Sequence, residues 1–233
     1  GLYGFFLFCY GACYKFFYPY ALNLGEAPLS QAIRFLSEGK IPYHDLKNPP
    51  FSLVPYGPVY LSLAAVLRLL ISSPFVGGRI LTFTATLLAG GFVYLILRRL
   101  KVTRANSLLP ALLFWCHTYV WRWGIQVNAD MTGVFFSALT FYLFARFLGD
   151  GAPAEKDRMS VFYLGIASAV LAFFAKASMV SAFGAFALCL LLTRRFRLFF
   201  MASGLYLAAV FLIFGALNAL TGGQYYFHTD RKS

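Results

Sequence analysis

The chain has 233 residues, 60% of them hydrophobic and only 12% charged, with a mean hydropathy of +0.70; soluble domains carry roughly 25% charged residues, so a water-soluble globular fold is excluded. The apolar residues come in blocks of the length a bilayer span requires, about 20 residues each, which makes this an all-α polytopic membrane protein. The net charge of +12 does not indicate nucleic acid, because Lys and Arg gather at the ends of the apolar blocks and no basic groove with interleaved aromatics occurs.

The first apolar block runs from Gly1 to about Tyr14, with no Met and no basic region ahead of it, so the chain is expected to be trimmed at its N-terminus. It ends at Phe227 to Ser233 directly after a span with no closing element, so it is equally expected to be the N-terminal part of a protein truncated at its C-terminus. Lys15 to Gly78 breaks the apolar rhythm. Within it, Pro28 to Glu38 carries Leu29, Ile33 and Leu36 at helical spacing, and Gly39 supplies a stop. Pro42-Tyr43-His44-Asp45, Pro49-Pro50 and Pro55-Tyr56-Gly57-Pro58 then read as stiff, extended chain. Pro58 to Leu70 is apolar, but 13 residues span only about 20 Å against a hydrocarbon core of about 30 Å. It is therefore expected to lie at the interface, with Arg68 reaching toward headgroups.

Further spans are expected at Ile80–Leu97, Ser107–Gly124, Met131–Phe147, Ser160–Ala175, Ala177–Thr193 and Leu198–Leu220, making about seven. Three basic clusters separate successive helix pairs: Arg98, Arg99, Lys101 and Arg104; Arg146, Lys156 and Arg158 around the polar turn Gly149 to Arg158; and Arg194, Arg195 and Arg197. All three belong on the cytoplasmic side by the positive-inside rule. The segment 15–78 is then a large first extracytoplasmic loop with juxtamembrane helices at about 28–38 and 58–70, in a single transmembrane domain over 1–233.

This topology collects Glu26, His44, Asp45, Asp130, Lys176, His228 and Asp230 on the outer face, where converging ionisable groups point to a site at the water interface. Glu26 is either a carboxylate facing a cavity, able to accept a proton, or a charge favouring the N-terminus of the next helix. Asp130 abuts Met131 and needs solvent or a partner, for which Arg122 is a candidate. Lys176 lies within 34 otherwise uncharged residues, 159–175 and 177–193, and needs an anion such as a lipid phosphate, a cavity, or an interface to snorkel to. His228 is either a metal or phosphate ligand or a histidine that is simply packed or solvated in an aromatic loop. Cys9, Cys13, Cys116 and Cys189 lie in apolar stretches with no metal or disulfide spacing. No glycine-rich phosphate loop, zinc-binding helix motif or nucleophilic-serine motif occurs, which disfavours soluble-nucleotide chemistry.

The order of these features resembles the GT-C superfamily of integral membrane glycosyltransferases, in the bacterial branch similar to protein O-mannosyltransferases and the lipid A aminoarabinose transferase. Glu26 with Gln31 to Tyr43 is similar to the family's acidic motif, first juxtamembrane helix and glycine exit, and Pro55-Tyr56-Gly57-Pro58-Val59-Tyr60 to the approach to the second. Gly78-Arg79 opens the next span as in the family. Asn128-Ala129-Asp130-Met131 resembles its second outer aspartate, Phe174-Ala175-Lys176-Ala177-Ser178 its span-turn lysine, and Thr221 to His228 an outer-loop segment. The common Asp-Glu pair of the first loop is Gly25-Glu26 here.

The resemblance implies an inverting glycosyltransferase of the bacterial plasma (inner) membrane, serving cell-envelope glycosylation at the extracytoplasmic face. Its donor would be a sugar linked to polyprenyl phosphate, its acceptor a lipid, glycan or protein. Glu26, assisted by Asp130, would deprotonate the acceptor hydroxyl, Lys176 would bind the donor phosphate, and Tyr56, Asp45 and His228 would line the pocket. The resemblance fixes no cofactor and leaves a divalent metal open. Two rivals remain: a multi-pass transporter using Asp130, Arg122 and Lys176 as a path, with Gly90-Gly91 loosening a span, and a non-catalytic membrane assembly subunit.

Overall fold

The structure, a computed structural model, describes residues 2–45, 47, 51–149 and 155–230; Pro49-Pro50 and residues 150–154 of the expected polar turn lie outside them. Among the described residues all regular structure is helical. In chain order the helices are α1 (Leu2–Phe16), α2 (Glu26–Ser37), α3 (Pro58–Leu70), α4 (Val76–Arg99), α5 (Arg104–Cys116), α6 (Thr118–Trp123), α7 (Asp130–Leu148), α8 (Glu155–Ala175), α9 (Val180–Leu192), α10 (Phe196–Leu220) and α11 (Gln224–Asp230), with a 3-10 turn at Ala177–Met179 before α9.

Four of these are long and apolar enough to cross a bilayer: α4, α7, the Arg158–Ala175 part of α8, and α10. The 24 residues of α4 rise about 36 Å. The other three expected spans are shorter or interrupted. α1 has 15 residues, α9 is cut to 13 by the 3-10 turn, and the Ser107–Gly124 block breaks at His117 into α5 and α6. There His117 has extended backbone and accepts the Tyr119 N–H on Nδ1, capping α6.

The core lies around α7, which packs between α4 and α8. Phe144, Phe162, Phe174, Phe186 and Leu190 are buried where α7, α8, α9 and α10 meet, and Phe144 stacks on Phe186. By contrast α10 buries little of itself: Phe211 and Leu212 are among many large apolar side chains left exposed. Such continuous apolar surface fits contact with lipid tails rather than water. α4 runs unbroken through Gly90-Gly91; a Cβ on Gly90 would lie 2.4 Å from the Trp115 indole, whose Nε1 donates to Thr86 O at 3.0 Å. Gly90 therefore admits α5 closely instead of loosening the span.

A second core joins α2 and α3 to the loops above α7 and to α11. Leu29, Ile33, Tyr43, Val54, Tyr60 and Tyr225 are buried there. α2 begins at Glu26, two residues before the expected start, because Asn23 Oδ1 accepts the N–H groups of Gly25 (2.6 Å) and Glu26 (3.1 Å) and turns the chain into the helix.

Candidate functional site

The carboxylate of Glu26 is fully buried at the start of α2, opposite the equally buried guanidinium of Arg79 in the first turn of α4. Arg79 grips it with two prongs, Nε to Oε1 at 3.2 Å and Nη2 to Oε2 at 2.8 Å. Backbone N–H groups complete the shell: Val127 donates to Oε1 at 2.7 Å and Leu22 to Oε2 at 2.6 Å. The guanidinium also donates to the carbonyls of Lys15 (2.8 Å), Tyr18 (2.6 Å) and Tyr20 (2.7 Å) and lies over the Phe75 ring. One ion pair thus ties together the exit of α1, the start of α2, the start of α4 and the loop before α7. With every charge neutralised and hydrogen-bonded, burial is sustained, and no face of Glu26 is open to a ligand.

A few residues along that loop stands a different kind of acid. Asn128 Oδ1 accepts the Asp130 N–H at 3.0 Å, and Asp130 opens α7, where the helix N-terminus favours its negative charge. Its Oδ1 accepts from Lys176 Nζ at 2.7 Å and its Oδ2 from the Tyr119 hydroxyl at 2.5 Å. Arg122, the partner considered from sequence, instead lies over the Trp123 ring. Lys176 sits where α8 stops: its backbone is extended, and the 3-10 turn follows at once. This break lets the ammonium reach α7 while its side chain stays 25% exposed, against 9% for Asp130. The pair is therefore anchored from below and open at one edge, unlike Glu26–Arg79.

The Pro55–Pro58 loop runs against the end of α8, with Tyr56 near Asp130. A Cβ on Gly57 would fall 1.9 Å from Phe174 O, so the loop backbone lies directly against the end of α8. Burial, followed by the nearby Asp130 carboxylate, raises the pKa of the Tyr56 hydroxyl and keeps it a neutral donor beside the acid. Tyr43 holds the loop from behind, its hydroxyl donating to Tyr56 O at 2.8 Å. A small cavity of about 210 Å³ lies at the end of α8, between Pro55, Gly57, Phe173, Ala177, Phe214 and Tyr226; Lys176 and Asp130 are not among its lining residues.

His228 on α11 is fully buried and serves as a strap: its Nδ1 accepts from Val54 N–H at 3.0 Å and its Nε2 meets His44 O at 2.8 Å, fixing the tautomer with hydrogen on Nε2. Burial lowers its pKa, so the ring is neutral. Asp45 is exposed and accepts the Lys47 N–H at 3.0 Å in a local turn, apart from the Asp130–Lys176 pair. Among the described residues, no three His, Cys, Asp or Glu side chains converge as a metal site.

Of the residues expected from sequence, Asp130, Lys176 and Tyr56 come together, Glu26 is joined to them through the 126–130 loop, and His228 touches the back of the Tyr56 loop. Arg79 and Tyr119 escaped the sequence reading as functional partners. Tyr119 carried no signal. Arg79 did: a cation at the N-terminal end of an apolar helix, where the helix dipole disfavours it and away from the basic clusters, calls for a buried anion.

A family model described as dolichyl-phosphate-mannose-protein mannosyltransferase matches residues 54–219, more than two thirds of the chain. The match takes in Tyr56, Arg79, Asp130 and Lys176 and leaves out Glu26 and His228. No curated protein and no solved structure matches the chain.

Proposed function

Because the chain belongs to the dolichyl-phosphate-mannose-protein mannosyltransferase family, membrane glycosyltransferases of the GT-C superfamily, we propose that it transfers a sugar from a polyprenyl-phosphate donor to a hydroxyl of a lipid, glycan or protein at the extracytoplasmic face of a bacterial plasma membrane. In this reading 1–233 is a single transmembrane domain in which α1, the α5–α6 pair and α9 cross the bilayer along with the four long helices, and 15–78 is the outer loop.

The observation that carries the proposal is the Asp130–Lys176 pair, held by Tyr119 at a helix break and open at one edge. At rest the ammonium neutralises the carboxylate. A donor phosphate reaching Lys176 shares that ammonium, and Asp130, relieved of part of its counter-charge, becomes the better proton acceptor. The acceptor oxygen then bonds to the sugar C1 as the bond from C1 to the phosphate oxygen breaks through an oxocarbenium-like state, with inversion. The hydroxyl proton passes to Asp130, and polyprenyl phosphate leaves with its new negative charge against Lys176. Tyr56 lines the acceptor side as a neutral donor. Glu26 acts as a positioning residue, its carboxylate holding the 126–130 loop through the Val127 N–H; Asp45 and His228 shape the loops around the pocket.

The test is transfer from labelled polyprenyl-phosphate mannose in membranes containing the full-length protein. Asp130→Asn should lower kcat by about 10²–10⁴, and Lys176→Met should raise the donor KM as well as lower kcat. A fully active, folded Asp130→Asn variant would remove the proposed base.

A further inference from the structure

At the other end of the bundle, the last turns of α4, α7 and α9 leave a groove of about 610 Å³. Phe141, Phe144, Leu148, Phe186 and Cys189 make its walls apolar, and Arg99, exposed at the end of α4, is the charged member of its lining. The groove reaches Gly149, so it spans the level at which the apolar blocks give way to the basic clusters.

The charge at this end is unbalanced. In sequence the three basic clusters count ten Lys and Arg, against three acids, Asp150, Glu155 and Asp157, within 98–104, 146–158 and 194–197. Among the described residues, all four ion pairs lie elsewhere, in the first loop or at the candidate site. The Nε of Arg146, in the last turn of α7, is buried with no hydrogen-bond partner among the described residues. Two of the cations even sit on unfavourable backbone: Lys101 and Arg194, closing α4 and α9, have φ of 63° and 55°, in the left-handed region where glycine is at ease and other residues are strained by about 1–2 kcal/mol.

We propose that this groove binds an anionic diacyl phospholipid, an acyl chain lying along the Phe141–Phe186 wall and the headgroup phosphate held by Arg99 with the neighbouring basic clusters. An apolar slot alone would take any acyl chain, and exposed cations alone would attract any anionic surface. Their meeting at Arg99 selects a lipid that satisfies both. The proposal does not depend on the catalytic reading, since the groove and the Asp130–Lys176 pair lie at opposite ends of α7.

The full-length protein, purified in mild detergent, would be titrated with phosphatidylglycerol and with phosphatidylcholine of the same chains, and retained lipid counted by native mass spectrometry. Wild type should retain phosphatidylglycerol in preference to phosphatidylcholine; Arg99→Gln should weaken that preference by about fivefold. Ala185→Phe, which fills the groove without touching a charge, should abolish retention of both. Equal retention of the two lipids, or unchanged preference in Arg99→Gln, would overturn the proposal. So would an Ala185→Phe variant that still holds phosphatidylglycerol, because charge alone would then suffice, or displacement of the bound lipid by polyprenyl phosphate at equal concentration.

Discussion

Glu26→Gln tests whether this acid touches substrate or only holds the fold. The substitution keeps the size of the side chain and turns one oxygen into an NH₂. Both oxygens now accept two donors each, from Arg79 and from a backbone N–H. Whichever oxygen becomes nitrogen, donors face donors on that side, and Arg79 keeps a full charge in a site with no water-exposed surface. Removing one partner of a buried ion pair costs about 3–5 kcal/mol. For a protein of this size each kcal/mol moves the unfolding midpoint by roughly 2–4 °C, so the midpoint should fall by roughly 10 °C. The assay is thermal unfolding in detergent, followed at fixed heating rate because unfolding of such proteins is often irreversible. Glu26→Gln with Arg79→Met should recover part of the loss, since no buried charge is then stranded. An unchanged midpoint alongside lost transfer would refute this reasoning and restore Glu26 as the proton acceptor expected from sequence.

Gly57→Ala should reduce transfer and destabilise the first-loop core, because its Cβ would meet a backbone carbonyl at 1.9 Å and the Tyr56 loop would have to lift away from α8; normal donor KM in this variant would show that the loop does not shape the site. His228 has a folded pKa below its ordinary 6.5, so the unfolded chain binds the extra proton first. The stability it contributes is full above about pH 6.5 and lost as pH falls through the folded value. The difference in midpoint between wild type and His228→Gln should therefore shrink on acidification, and a difference constant between pH 7.5 and pH 5 would remove His228 as the strap.

Much of the scaffold was legible because hydropathy and charge report directly on the bilayer. The blocks containing α4, α7, α8 and α10 are apolar over spanning length, and their ends carry the basic residues. Block length could not reveal where the helices break, since the capping His117 and the extended Lys176 sit inside apolar runs with no Gly or Pro beside them. Within the site, burial cost identified Asp130 and Lys176 as charges needing partners, but not each other. Arg122 is nearer in sequence, whereas the actual pairing depends on α7 and α8 packing antiparallel across 46 residues. Glu26 was ambiguous for the same reason: a carboxylate at a helix start reads as exposed until an arginine 53 residues later covers it.

The Glu26–Arg79 junction also dictates an order of events during synthesis. Lys15, Tyr18 and Tyr20 offer their carbonyls early, but the guanidinium that collects them emerges about sixty residues later, and the Val127 N–H that completes the Glu26 shell later still. Until then the segment leaving α1 has no lock, and Glu26 remains hydrated. The segment 15–78 accordingly sets only once the chain has been made through α4 and past α6, so an early-made segment receives its shape from the later helices it will stand beside.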